Sequence, residues 1–214
     1  MINDYITALG ETLYMVSLSS LFSIILGSII AIVLFLTEKN GLKENRYIYN
    51  GLDFIVNIMR SFPFIILMIT IIPLTKFIVG KSTGTTAAII PLTIGAFPFA
   101  TRVIHSSIKE VPKGLIETAE AFGCNTSQIV FKVLFKEALP SIIRGITLTI
   151  INLIGYSAMA GAIGAKGLGD LAIRYGYHRF KVDVMIITVI ILIILVQAIQ
   201  LLGDLLAKKV QCKN

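Results

Sequence analysis

Charge is scarce in this chain of 214 residues: Asp, Glu, Lys and Arg make up 14% of it, against about 25% in a soluble globular domain. Hydrophobic residues make up 56% and mean hydropathy is +0.87. So few polar groups cannot cover a soluble surface, and an integral membrane protein is expected. Cysteine is nearly missing. Cys124 and Cys212 stand far apart in unrelated contexts, which excludes a disulfide framework or a CxxC metal site. The two histidines, His105 and His178, fall in different loops, and no HExxH or G-x-S-x-G pattern occurs. Gly80-Lys81-Ser82 ends like a P-loop, but Thr75 stands where the first glycine is needed. No catalytic residue and no metal site are expected. Lys and Arg are absent from residues 1–38, so no signal peptide is expected and the first apolar run reads as a retained span.

The apolar runs are residues 12–36, 55–74, 87–103, 142–163 and 184–202. Each approximates the ~20 residues that a helix needs to cross the hydrocarbon core. Continuous runs favour helices over a β-barrel. The expected fold is all-α: one polytopic membrane domain over residues 1–214, with five transmembrane helices. With the N-terminus outside, 13 Lys and Arg fall on the cytoplasmic side and 6 outside. That bias selects an outer N-terminus and a cytoplasmic C-terminus. The net charge of +7 then reports basic cytoplasmic loops rather than nucleic-acid binding.

The loop over residues 104–141 is patterned. Pro112 suits a helix start. Leu115, Ile116, Ala119 and Phe122 form an apolar face, with Lys113, Glu117 and Glu120 opposite. Gly123 fits the C′ position. Asn125 with Gln128 reads as a capping box opening a second helix to about Leu139, and Pro140 marks the exit into the fourth span. Such a pair of helices either anchors the loop to lipid or docks a soluble partner.

Spans one and five hold no ionisable residue, and Arg60, Arg102 and Arg144 lie near cytoplasmic ends where they can snorkel. A proton-driven carrier usually needs an acid or histidine inside the bilayer. A transporter of this composition must take its energy from a partner. In residues 155–169, ten of fifteen residues are Gly, Ala or Ser. Small residues there serve close helix packing or widen a pore wall. Tyr156, Met159 and Ile163 share a face at i, i+3 and i+7, with Met159 as a flexible apolar plug.

Glu117-Thr118-Ala119, Gly123 and Leu139-Pro140 resemble the cytoplasmic coupling motif of ABC importer permeases, E-A-A-x-x-x-G followed by I-x-L-P. Thr118 replaces an alanine, and Val133-Leu134-Phe135-Lys136 stands where I-x-L-P would fall, so that Lys136 replaces the usual proline. Together with RSFPFIILM (60–68), VPKGLIETAEAFG (111–123) and IGYSAMAGAIGAKGLGDLAIRYGY (154–177), the chain resembles the permease subunit of methionine-type ABC importers. The resemblance implies a cell-membrane homodimer on two copies of an ATP-hydrolysing subunit, which bind the ATP and Mg. An external substrate-binding lipoprotein would deliver methionine, L- and possibly D-. It implies no cofactor in this chain and no enzymatic activity of its own. Glu117, Thr118, Ala119 and Gly123 would couple to the ATPase, and Tyr156, Met159 and Ile163 would line the pore and gate. An ABC permease for another amino acid or a phosphonate is the nearest alternative. An autonomous channel, a secondary carrier or an assembly factor is disfavoured.

Overall fold

The computed structural model describes residues 2–212. The first helix, α1 (Ile2–Thr37), is 36 residues long, about 54 Å at ~1.5 Å per residue. It begins ten residues before the apolar run, with Asp4 in its first turn, where a carboxylate complements the helix dipole. α1 packs along α5 (Thr85–Lys109) through small residues. A Cβ on Gly27 would sit 2.9 Å from Ala100 Cβ and from the Thr101 nitrogen. Ser19 and Ser23 donate across the same seam to the carbonyls of Ile89 and Thr93, at 3.4 and 3.1 Å. This is the close-approach packing that helices use where lipid offers no hydrophobic driving force.

The second expected span is not a straight helix. α2 (Arg46–Ser61) starts at Asn45, whose side chain accepts from the N–H groups of Tyr47 and Ile48. It stops because Pro63 holds Phe62 extended, at φ −73° and ψ 125°. The chain bends by 102° into α3 (Phe64–Thr70) and continues as α4 (Ile72–Val79). Among the described residues, four helices are long and apolar enough to cross a membrane alone, and the bent pair supplies a fifth crossing only if counted as one span.

α6 (Lys113–Ala121) follows α5, and a continuous helical run then covers Thr126–Gly161. This run comprises α7 (Thr126–Gln128), a π-helical turn at Ile129–Leu134 and α8 (Phe135–Gly161). Pro140 does not end the second loop helix, as its sequence position suggested, but lies inside α8. It removes one backbone donor, a loss that membrane helices tolerate when local adjustments re-satisfy the freed group. α9 (Gly167–Leu171), a second π turn at Ala172–Tyr177 and α10 (Val182–Gln211) complete the chain. Buried residues form one cluster around Met15, Leu92 and Leu153 and another around Ile104, Ile129 and Leu134. The second lies directly under α6.

Candidate functional site

The turn after α6 is specified bond by bond. Gly123 takes φ +76°, and its N–H donates to the Glu120 carbonyl while the Cys124 N–H donates to the Ala119 carbonyl, at 2.8 and 3.0 Å. These are the paired bonds of a Schellman motif. A Cβ on Gly123 would meet nothing within 4 Å, so the demand for glycine is conformational and not steric. The next helix opens on a reciprocal capping box, in which Gln128 N–H donates to Asn125 Oδ1 and Asn125 N–H donates to Gln128 Oε1, both at 2.9 Å.

Ala119 is buried in the cluster that contains Ile108, Val111 and Ile129, and partly buried Ile116 packs against that cluster. Glu117 and Thr118 are exposed, and the Thr118 hydroxyl donates to the Gly114 carbonyl at 2.6 Å. The expected apolar face divides: Ile116 and Ala119 turn inward, whereas Leu115 and Phe122 are exposed, Phe122 by 84%. α6 therefore presents acid and aromatic groups together on its outer side.

Around the end of α8 the three expected pore residues separate. Tyr156 is partly buried and stacks on Phe64, with ring centroids 4.2 Å apart and planes within 5°. Met159 is 44% exposed. Ile163 lies beyond Gly161, where α8 ends, and packs on the cluster containing Met15 and Leu92. The i, i+7 register thus fails at Ile163, because the chain leaves the helix and turns through Gly164 at φ +89°.

The small residues around this turn serve backbone-on-backbone packing. A Cβ on Gly161 would lie 2.2 Å from the Asp170 nitrogen, and one on Gly169 would lie 2.3 Å from the Ala158 carbonyl oxygen. The following loop is tied to α1 and α5. Gly167 N–H donates to Glu11 Oε2 at 3.1 Å, Leu168 N–H to Thr12 Oγ1 at 2.9 Å, and Gly84 N–H to the Gly164 carbonyl at 2.9 Å. Lys166, held at φ +65°, has its ammonium 3.6 Å from Glu11.

A further constellation lies at the end of the bundle next to α6. Arg46, Asn50, Asp53, Asn57 and Arg60 recur along α2 at helical spacing. Arg102 on α5 pairs with Asp53 and donates to Asn57 Oδ1 at 2.7 Å. Lys109, at the end of α5, donates to Glu38 Oε2 at 2.8 Å, and buried His105 lies 3.7 Å from the same carboxylate. Between α2, α5 and α8 opens a cavity of about 590 Å³ whose walls include Arg60, Arg102, His105, Lys109, Glu110 and Arg144. By sequence alone these arginines read as span ends that snorkel. The signal for this site was the polar stripe of α2, which overlaps the start of an apolar run.

The bundle, its broken second span and the helical loop define an all-α membrane permease. The family model described as the inner membrane component of binding-protein-dependent transport systems matches residues 23–211, and the chain belongs to that family. More particularly, it is 51% identical over 205 residues to the probable D-methionine transport system permease protein MetI of Vibrio cholerae serotype O1, covering 96% of this chain and 91% of that one. It is 45% identical over 174 residues to the methionine import system permease protein MetP of Bacillus subtilis, covering 81% and 78%. A solved inward-facing structure of the MetNI methionine ABC transporter superposes with a TM-score of 0.97 at 43% identity, covering 98% of this chain and 97% of that one. An amino acid ABC transporter solved with histidines shares the fold alone, with a TM-score of 0.79 at 19% identity.

Proposed function

We propose that this chain is the permease subunit of an ATP-driven importer for methionine and close analogues. The observation that carries the reading is the full-length match in sequence and fold to methionine permeases. Geometry adds an exposed helix, α6, mounted on the core by Ala119 and fixed at its end by the Gly123 turn. A soluble ATPase pushing on Glu117, Thr118 and Phe122 would move α6 against the cluster beneath it, and so shift α1, α5 and α8 together.

On this reading the chain works as one permease domain and is not an enzyme; two ATP-hydrolysing subunits bind ATP and Mg. A second copy of the chain closes the pathway about a two-fold axis, and an external binding lipoprotein supplies substrate. The N-terminus is outside and the C-terminus cytoplasmic, in keeping with the basic bias of the loops. Reaction of Cys124 with an impermeant thiol reagent in intact cells would reverse that orientation. Met159, exposed at the end of α8 beside buried Ala160, is the gate. Tyr156 positions it through Phe64, and Ile163 anchors the turn that follows. Co-purification tests the assembly: the tagged chain should bring down an ATPase from its native membrane, and recovery of the chain alone under gentle extraction would argue against it.

A further inference from the structure

The cavity between α2, α5 and α8 belongs neither to the coupling helix nor to the Met159 gate. Its volume, about 590 Å³, lies within the ~300–1,000 Å³ typical of small-molecule sites. Phe99, Val103 and Leu148 give it apolar wall. Its four strong cations are not equivalent. Arg102 and Lys109 are held by Asp53 and Glu38. Arg144 donates to the neutral amide oxygen of Gln211, at 3.0 Å, and has no acid partner among the described residues. Arg60 has no acid partner among the described residues. Behind this wall, Arg102 Nε and His105 Nε2 are enclosed and make no hydrogen bond among the described residues, with His105 Nε2 3.7 Å from the Glu38 carboxylate. Glu110 lines the same cavity without a cationic partner among the described residues.

We propose that this cavity is a carboxylate-binding site, in which Arg60 and Arg144 receive the α-carboxylate of the transported amino acid and Glu110 faces its ammonium group. The inference rests on the import reading above and adds a resting place on the cytoplasmic side of the gate. A guanidinium matches a carboxylate with two parallel N–H donors, and the two arginines lacking acid partners come from different helices, α2 and α8. Mixed sign distinguishes the site from a lipid-phosphate pocket. Glu110 would repel a phosphodiester, whereas a zwitterion uses both signs. The amide-bearing stripe of α2 extends this polar surface along the helix, giving a small polar solute hydrogen-bonding groups where lipid would offer none.

The test uses the permease–ATPase complex in nanodiscs of neutral phosphatidylcholine, without nucleotide, and reads binding of radiolabelled L-methionine. Wild type should bind methionine in competition with unlabelled methionine but not with methioninol, which lacks the carboxylate. Arg60→Gln and Arg144→Gln should each weaken binding by about tenfold or more, while Lys208→Gln, the same charge change at the end of α10, should not. Equal binding by wild type and the double arginine variant, or no carboxylate-dependent binding by wild type, overturns the site. So does loss of methionine binding when anionic phosphatidylglycerol is added, which would assign the cavity to lipid phosphate. ATP-dependent methionine uptake by wild-type proteoliposomes is measured in parallel. Absence of uptake there counts against the import reading itself, whereas normal uptake with unaltered binding in the variants counts against this site alone.

Discussion

Tyr156 lies flat on Phe64, with centroids 4.2 Å apart and planes 5° from parallel. One ring stands three residues before Met159 on α8, and the other opens α3 just after the 102° bend. The stack therefore ties the elbow of the broken span to the helix that carries Met159, the proposed gate.

An aromatic pair adds ~0.5–1.5 kcal/mol beyond the area it buries, and truncating a buried Phe to Ala typically destabilises by ~3–5 kcal/mol. Phe64→Ala should lower the melting temperature of the purified complex markedly. Tyr156→Phe keeps the stack, since the Tyr156 hydroxyl makes no hydrogen bond among the described residues, and should change stability by less than about 0.5 kcal/mol. Equal loss in the two variants would assign Tyr156 a polar role instead.

At the loop turn, Gly123→Ala meets no steric obstacle and should carry only the left-handed backbone penalty of ~1–2 kcal/mol. Gly123→Val adds a β-branch at the same φ and should uncouple transport while the protein still inserts. Glu117→Lys, on an exposed position, should leave melting unchanged and abolish substrate-stimulated ATP hydrolysis. Normal ATP-driven uptake in both Gly123→Val and Glu117→Lys would leave the loop as a lipid anchor.

Three glycines near the end of α8 separate packing from pore width. Gly161→Ala and Gly169→Ala place a methyl group 2.2–2.3 Å from fixed backbone. Each should destabilise by at least ~1–3 kcal/mol through overpacking. Gly155→Ala meets nothing within 4 Å and should be neutral or stabilising by up to ~1 kcal/mol through helix propensity. Thermal melts of the three variants check the order, and tolerance of alanine at 161 would deny the backbone contact with Gly169 and Asp170.

Met159→Ala should make a leaky path, with methionine crossing liposome membranes without ATP, because on the proposed reading several heavy atoms leave an apolar constriction that would meet its own copy across a two-fold axis. Ile24→Ala in α1 should not leak. Equal passive flux in wild type and Met159→Ala, with active transport intact, would remove Met159 from the gate.

Local chemistry made part of this architecture legible in the sequence. The Gly123 stop and the Asn125–Gln128 box rest on bonds spanning a few residues, so spacing alone disclosed them. The membrane helices followed from uninterrupted apolar length. The elbow did not, because a hydropathy run counts Pro63 as one weak residue while its backbone effect redirects the chain. Pro140 misled in the opposite direction, since the α8 helix continues through it. The polar cavity was hidden because its ties join distant residues: Asp53 with Arg102, and Glu38 with Lys109. The arginines looked like interfacial anchors until α2 was seen to turn its polar stripe toward α5. The face shared by Tyr156, Met159 and Ile163 held only as far as α8 did. The turn through Gly164 lies in a segment whose small-residue composition fits packing and pore equally well.

The most direct measurement is uptake of radiolabelled methionine into proteoliposomes holding this chain, its ATPase and the external binding protein. Import should require ATP inside the vesicle together with the binding protein outside, fall to background with Glu117→Lys, and be competed by unlabelled methionine. Accumulation without ATP in the wild-type assembly, or import competed by other amino acids but not by methionine, would contradict the account.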